Sequence, residues 1–149
     1  MKSLEILPLK GFGELDFGQT IGETVQQLGT AEEIDEMDGE DGMNTVILHY
    51  WDLGMSIFFE GIEKSVISCF ETDNPDSVLF GHRVFEMNQD QIMKIMHDNG
   101  FHTVEKELEE GETRLTFDDG LIDFFFAKNE LVAVSWGVLV NSRGEVEII

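Results

Sequence analysis

The chain has 149 residues, 31 of them Asp or Glu and 9 Lys or Arg, giving a formal net charge of −22 with 42% apolar residues. That length suits one domain whose core buries roughly two-thirds of the unfolded surface. The charge excludes an electrostatic grip on nucleic-acid phosphates and opposes docking on an anionic membrane.

The opening stretch Met1–Pro8 carries Lys2, but Glu5 and Pro8 interrupt the apolar run that a secretory leader needs. The glycines Gly11, Gly13 and Gly18 lack the preceding strand and the following helix start of a phosphate cradle. Thr20-Ile21-Gly22-Glu23 reads as a capping box, with Ile21, Val25 and Leu28 on one helical face and Gly29 as its stop. An acidic loop follows, with Asp35, Glu36, Asp38, Glu40 and Asp41 among its carboxylates. Its Asp-Gly pairs do not keep the acid spacing of an EF-hand, so a solvated loop is the expectation, with no metal site.

Asp52-Leu53-Gly54 reads as a three-residue hairpin loop with glycine in the left-handed position. That register sets Trp51 opposite Met55, His49 opposite Ile57 and Ile47 opposite Phe59. Those six residues then share the sheet face away from the helices, while Phe58 joins the helix side. Phe125 falls on the same outer face in the second half of the chain. An apolar outer face needs a cover: the N-terminal segment, the tail, a second subunit or a partner protein. Cys69, the single cysteine, lies in the strand-like run Val66–Glu71 and reads as a structural thiol.

The second half repeats the order. Asn88 and Gln91 form a capping box, Ile92, Ile95 and Met96 an apolar stripe, and Gly100 a stop. His97 falls in the last turn, where the helix dipole favours a cation. A second acidic loop holds Glu107, Glu109 and Glu110. Asp119-Gly120 marks a two-residue hairpin turn that sets Thr116 opposite Asp123 and Leu115 opposite Phe124. Leu115, Phe117, Ile122, Phe124 and Phe126 then form a core face, and Arg114 and Asp123 a diagonal pair. The most apolar run, Leu131 to Val140, is far shorter than the ~20 residues that span a bilayer.

An offset of 66 lays Gly54–Phe59 on Gly120–Phe125, Val66 on Val132 and Phe70 on Trp136. The expectation is an α+β single domain spanning 1–149. It consists of two tandem helix-plus-antiparallel-β-meander units, about 12–74 and 78–140, that share one curved sheet with helices on one face. Phe17-Gly18-Gln19-Thr20 and Glu23-Thr24-Val25-Gln26-Gln27-Leu28-Gly29 resemble the repeat opening of the β-lactamase-inhibitor-protein-like and small outer-membrane lipoprotein group. The resemblance implies an α+β fold and a protein-binding habit, and carries no inhibitory residue over.

No histidine pair among His49, His82, His97 and His102 sits at H-x-H spacing or in an H-E-x-x-H motif, Cys69 is isolated, and no catalytic constellation stands out. The expected protein is cytoplasmic, non-enzymatic and without a cofactor. Its partner is a protein, a basic one by charge complementarity, met at Ile47, His49, Trp51, Met55, Ile57, Phe59 and Phe125 with the acidic residues as a rim. The alternatives are a homodimer using that face as its interface, or a small-molecule binder or enzyme with a pocket between sheet and helices.

Overall fold

The computed structural model describes residues 1–39 and 42–147. Both helices begin where their caps dictate. In α1 (Ile21–Leu28) the Glu23 N–H donates to the Thr20 hydroxyl oxygen, and the Thr20 N–H donates back to the Glu23 carboxylate. In α2 (Gln89–Asp98) Asn88 and Gln91 make the same reciprocal exchange. Each exchange satisfies N–H groups that a helix start leaves orphaned. Gly29, at φ 83°, ends α1.

Strands account for most of the remaining order. They are β1 (Glu5–Leu7), β2 (Gly11–Phe12), β3 (Leu15–Asp16), β4 (Glu33–Met37), β5 (Asn44–Tyr50), β6 (Met55–Gly61), β7 (Val66–Thr72), β8 (Val78–Leu79), β9 (His82–Arg83), β10 (Val104–Glu109), β11 (Glu112–Phe117), β12 (Ile122–Ala127), β13 (Glu130–Gly137), β14 (Leu139–Val140) and β15 (Val146–Glu147). Eight form one antiparallel sheet in the order β10-β11-β12-β13-β7-β6-β5-β4. Five short strands form a second sheet, β3-β2-β1-β8-β9, and β14 pairs with β15.

This architecture overturns the α+β expectation. Strands hold 47% of the described residues and helices 17%, so the molecule is mainly β, with large antiparallel sheets and two α-helices among those residues. Segments read as loops account for the difference. The N-terminal stretch and residues 78–83 make the small sheet, and both acidic runs are strands.

The small sheet and both helices lie against the same face of the large sheet. Phe12 of β2 meets Trp136 of β13 edge-to-face at 5.0 Å and Phe70 of β7 at 5.8 Å. Trp136 Nε1 donates to the Gly11 carbonyl at 2.9 Å. Ile92, Ile95 and Met96 bury the inner stripe of α2, and Ile21, Val25 and Leu28 pack α1 against the same core. The N-terminal segment therefore covers the helix-side face, and the other face carries no element of the described chain.

The two hairpins behave differently. Around Asp119-Gly120 the loop has four residues, 118–121, yet Leu115 pairs with Phe124 and Thr116 with Asp123. The five expected core residues there are all buried. Arg114 pairs with Glu107 at 2.7 Å rather than with Asp123, which accepts from the Thr116 hydroxyl at 2.5 Å. In the first hairpin the loop is again four residues, Trp51 to Gly54, with Gly54 left-handed at φ 61°. Tyr50 then pairs with Met55 and His49 with Ser56. A one-residue shift moves side chains to the opposite face. Met55, Ile57 and Phe59 consequently lie in the core, and Phe58 faces out with Ile47 and His49.

The acidic runs occupy the outermost strands, β4 and β10, where Glu33, Asp35, Glu36, Glu105, Glu107 and Glu109 stand along the free sheet margins. Like charges there oppose edge-to-edge pairing of two copies, a common protection for exposed strand edges.

Candidate functional site

The uncovered face of the large sheet is mixed rather than apolar. Strand alternation and the pairing register place Ile47, Phe58, Cys69, Phe125 and Ala133 along its middle. Glu33, Asp35, Glu71, Asp123, Glu105, Glu107 and Glu109 surround them. A bulge between Phe125 and Phe126 leaves Val132 without a partner position, and it is 48% exposed. Two depressions meet at Val132. One runs past Ala133, Ser56, Glu71 and Asp73 to Trp51. The other runs past Phe125 and Arg114 to Glu107, Glu109 and Glu112. Together they form a shallow groove of mixed lining, in which Trp51, Val132 and Phe125 stand beside carboxylates.

The expected binding residues divide accordingly. Ile47, His49 and Phe125 are on this face, with Ile47 nearly buried and the other two half-buried. Trp51 is exposed at the groove's end. Met55, Ile57 and Phe59 are core residues, so their expected place in a contact surface is corrected. Of the expected rim, Asp35 and Glu36 are on β4, Asp38 follows it, and Glu107 and Glu109 are on β10. Glu110 occupies a turn at φ 48°, and Glu40 and Asp41 lie outside the described residues. Sequence reasoning missed Glu33, Ser56, Glu71, Asp73 and Val132. The first four follow from the true register; the bulge at Val132 has no local signature.

At the Trp51 end a polar chain crosses three strands. Asp35 Oδ2 lies 2.8 Å from His49 Nε2, and His49 Nδ1 lies 2.7 Å from Ser56 Oγ. Because a carboxylate only accepts, the Nε2–H donates to Asp35, and in the neutral imidazole the Ser56 hydroxyl donates to Nδ1. Trp51 stacks on the imidazole, with centroids 4.4 Å apart and planes 10° apart. Hydroxyl, imidazole and carboxylate follow one another in the order of a hydrolytic triad, but on the opposite ring nitrogens: there the hydroxyl meets Nε2 and the carboxylate Nδ1. Yet Glu71 stands directly opposite Ser56. A carboxylate there opposes the charge that an oxyanion would develop, where such a site requires donors.

A second histidine contact joins His97, at the end of α2, to His102, with Nδ1 atoms 2.7 Å apart. Their H-x4-H spacing is that of the histidine half of a zinc finger, but the single cysteine, Cys69, supplies no C-x-x-C half, so nothing in the sequence singles them out as a pair.

Cys69 faces outward between Phe58 and Gly137, and its sulfur lies 3.5 Å from Ser135 Oγ. Burial pushes its thiol up to about 11 against the opposing pull of the Ser135 hydrogen bond. At pH 8 only about 0.1% is then thiolate. Alkylation of the folded protein by iodoacetamide at pH 8 should be at least tenfold slower than in denaturant. Equal rates would show an accessible, ordinary thiol.

No protein-family model and no curated protein matches the chain. One solved structure, of an extracellular protein containing a SCP domain from Bacillus anthracis str. Ames, is similar over 89% of this chain and 50% of its own, with 14% identity and a TM-score of 0.44. The chain thus spans half the length of that protein. Among the described residues, no helix is long and apolar enough to cross a membrane.

Proposed function

We propose that this protein is a binding module whose uncovered sheet face takes a basic segment of a partner protein. The observation that carries this is the groove itself, whose lining sets the apolar side chains of Trp51, Val132 and Phe125 beside the carboxylates of Glu71, Asp73, Glu107, Glu109 and Glu112. Among the described residues Arg114 is the single base lining it, and Glu107 already pairs with it. Alternating cationic and apolar side chains suit such a lining. Apolar ones lie against its apolar side chains, and Lys or Arg reach the carboxylates or lie across the Trp51 ring, a contact of about 0.5–1 kcal/mol at exposed sites. The net charge of −22 adds steering, which raises association rates toward cationic partners.

Bulk charge attracts any cation, so the test separates the groove from the rest of the surface. The probe is a short fluorescein-labelled peptide of Lys, Arg and Leu, followed by anisotropy at about 0.15 M salt to suppress long-range effects. Neutralising Glu71, Asp73 and Glu107 together (Glu71→Gln, Asp73→Asn, Glu107→Gln) should weaken binding about fivefold or more, at a few tenths to 1 kcal/mol per contact. Neutralising Glu5, Glu86 and Asp90, on elements that pack against the opposite face, should change it less than about twofold. Equal losses from the two triple variants would refute a built groove.

A further inference from the structure

We infer that Glu33, Asp35 and His49 form a binding site for a borderline divalent metal ion of the Zn²⁺ type at the β4–β5 margin, an inference that does not rest on the groove's peptide partner although Trp51 and Ser56 border both. One ligand atom from each of the three residues lies within 4.8 Å of the others. The register explains the convergence: Glu33 stands directly opposite His49 and Asp35 is the next residue on that face of β4. A tetrahedral ion with bonds of about 2.0–2.2 Å needs its donors about 3.3–3.6 Å apart, so a small rotation of two exposed carboxylates closes the set.

The histidine distinguishes this trio from a simple patch of acids. Its side chain is only 12% exposed. Two groups outside the trio fix it: Ser56 holds Nδ1 at 2.7 Å and Trp51 stacks on the ring. That leaves Nε2 directed at the carboxylates. A ligating imidazole characteristically has its second nitrogen held in this manner. On metal binding the ring changes tautomer: Nε2 gives its proton to solvent and takes the ion, Nδ1 takes up a proton from solvent, and Ser56 Oγ becomes its acceptor. A nitrogen donor selects Zn²⁺, Co²⁺, Ni²⁺ or Cu²⁺ over Ca²⁺ and Mg²⁺, which take oxygen donors. Three protein ligands leave the remaining coordination positions to solvent.

Titrating the full chain with Zn²⁺ in a calorimeter at about 0.15 M salt tests the site, because screening suppresses diffuse cation uptake. The expected result is one saturable Zn²⁺ per chain that excess Ca²⁺ does not displace. His49→Gln and Asp35→Asn should each weaken it about tenfold or more, as losses at metal sites commonly do. Glu107→Gln combined with Glu109→Gln, on the opposite sheet margin, should leave it unchanged. Asp35 is exposed, so its variant tests the site even if His49→Gln unfolds. Bound Co²⁺ or Cu²⁺ should also quench Trp51 fluorescence, a signal lost in Trp51→Phe while Trp136 remains. Absence of a saturable site, undiminished binding by Asp35→Asn, or equal loss in the Glu107 and Glu109 variant would overturn the inference.

Discussion

Trp136→Ala is expected to destabilise the protein by about 3–5 kcal/mol, the usual cost of removing a buried aromatic. Trp136 is 1% exposed and is the largest fully buried side chain. It lies at the β13–β7 junction, opposite Phe70, with ring centroids 5.6 Å apart. Phe12 sits on its edge at 5.0 Å, so the cavity would open where the small sheet meets the large one. Its indole N–H also satisfies the Gly11 carbonyl. Trp136→Phe keeps most of the packing and loses that bond, for an expected cost of about 1–2 kcal/mol. Urea unfolding measures both. A drop of about 2–4 °C in Tm per kcal/mol provides a second reading at this chain length. Hydrogen exchange should show the amides of β1 and β2 loosening first. A Trp136→Ala variant within 1 kcal/mol of the parent would mean that the small sheet is held by other contacts.

Gly61→Ala should cost about 2–3 kcal/mol from backbone strain and enforced movement of the turn. A Cβ at this position, where φ is 157°, would lie 1.8 Å from the Lys64 carbonyl oxygen and 2.7 Å from its carbon. Both are backbone atoms, so no side-chain rotation relieves the overlap. The turn is further tied to the C-terminal hairpin, since the Ile62 and Glu63 N–H groups both donate to the Ser142 carbonyl. Gly22→Ala provides the opposite sign. A Cβ there meets nothing within 4 Å. Alanine inside a helix should add about 0.5–1 kcal/mol. Finding both substitutions neutral by urea unfolding would contradict the geometry of the β6–β7 turn.

Local chemistry made the helices legible. Each capping box, the α2 stripe and Gly29 follow from residues a few positions apart, and each is where those residues place it. The second hairpin was legible too, because a symmetric error in loop length leaves its register unchanged. In the first hairpin the error was asymmetric. Reading three loop residues instead of four moved Met55, Ile57 and Phe59 out of the core and hid the pairing of His49 with Ser56. No propensity separates those readings; burial of three large side chains does. The acidic strands were misread because charge suggests solvent. Their alternation, Val104-Glu105-Lys106-Glu107-Leu108-Glu109, was a strand signal in plain view. The small sheet had no readable signal, since strands of two or three residues have no periodicity.

The central claim is that the uncovered face, and not the acidity at large, binds a basic segment. Backbone-amide and indole NMR during titration with the Lys, Arg and Leu peptide tests it most directly. Shifts should concentrate at the Trp51 indole, Ser56, Glu71, Phe125, Val132 and Ala133, and saturate together. The amides of α1, α2 and the small sheet should stay still. Shifts spread evenly over acidic residues of both faces, or confined to the helix side, would contradict the account.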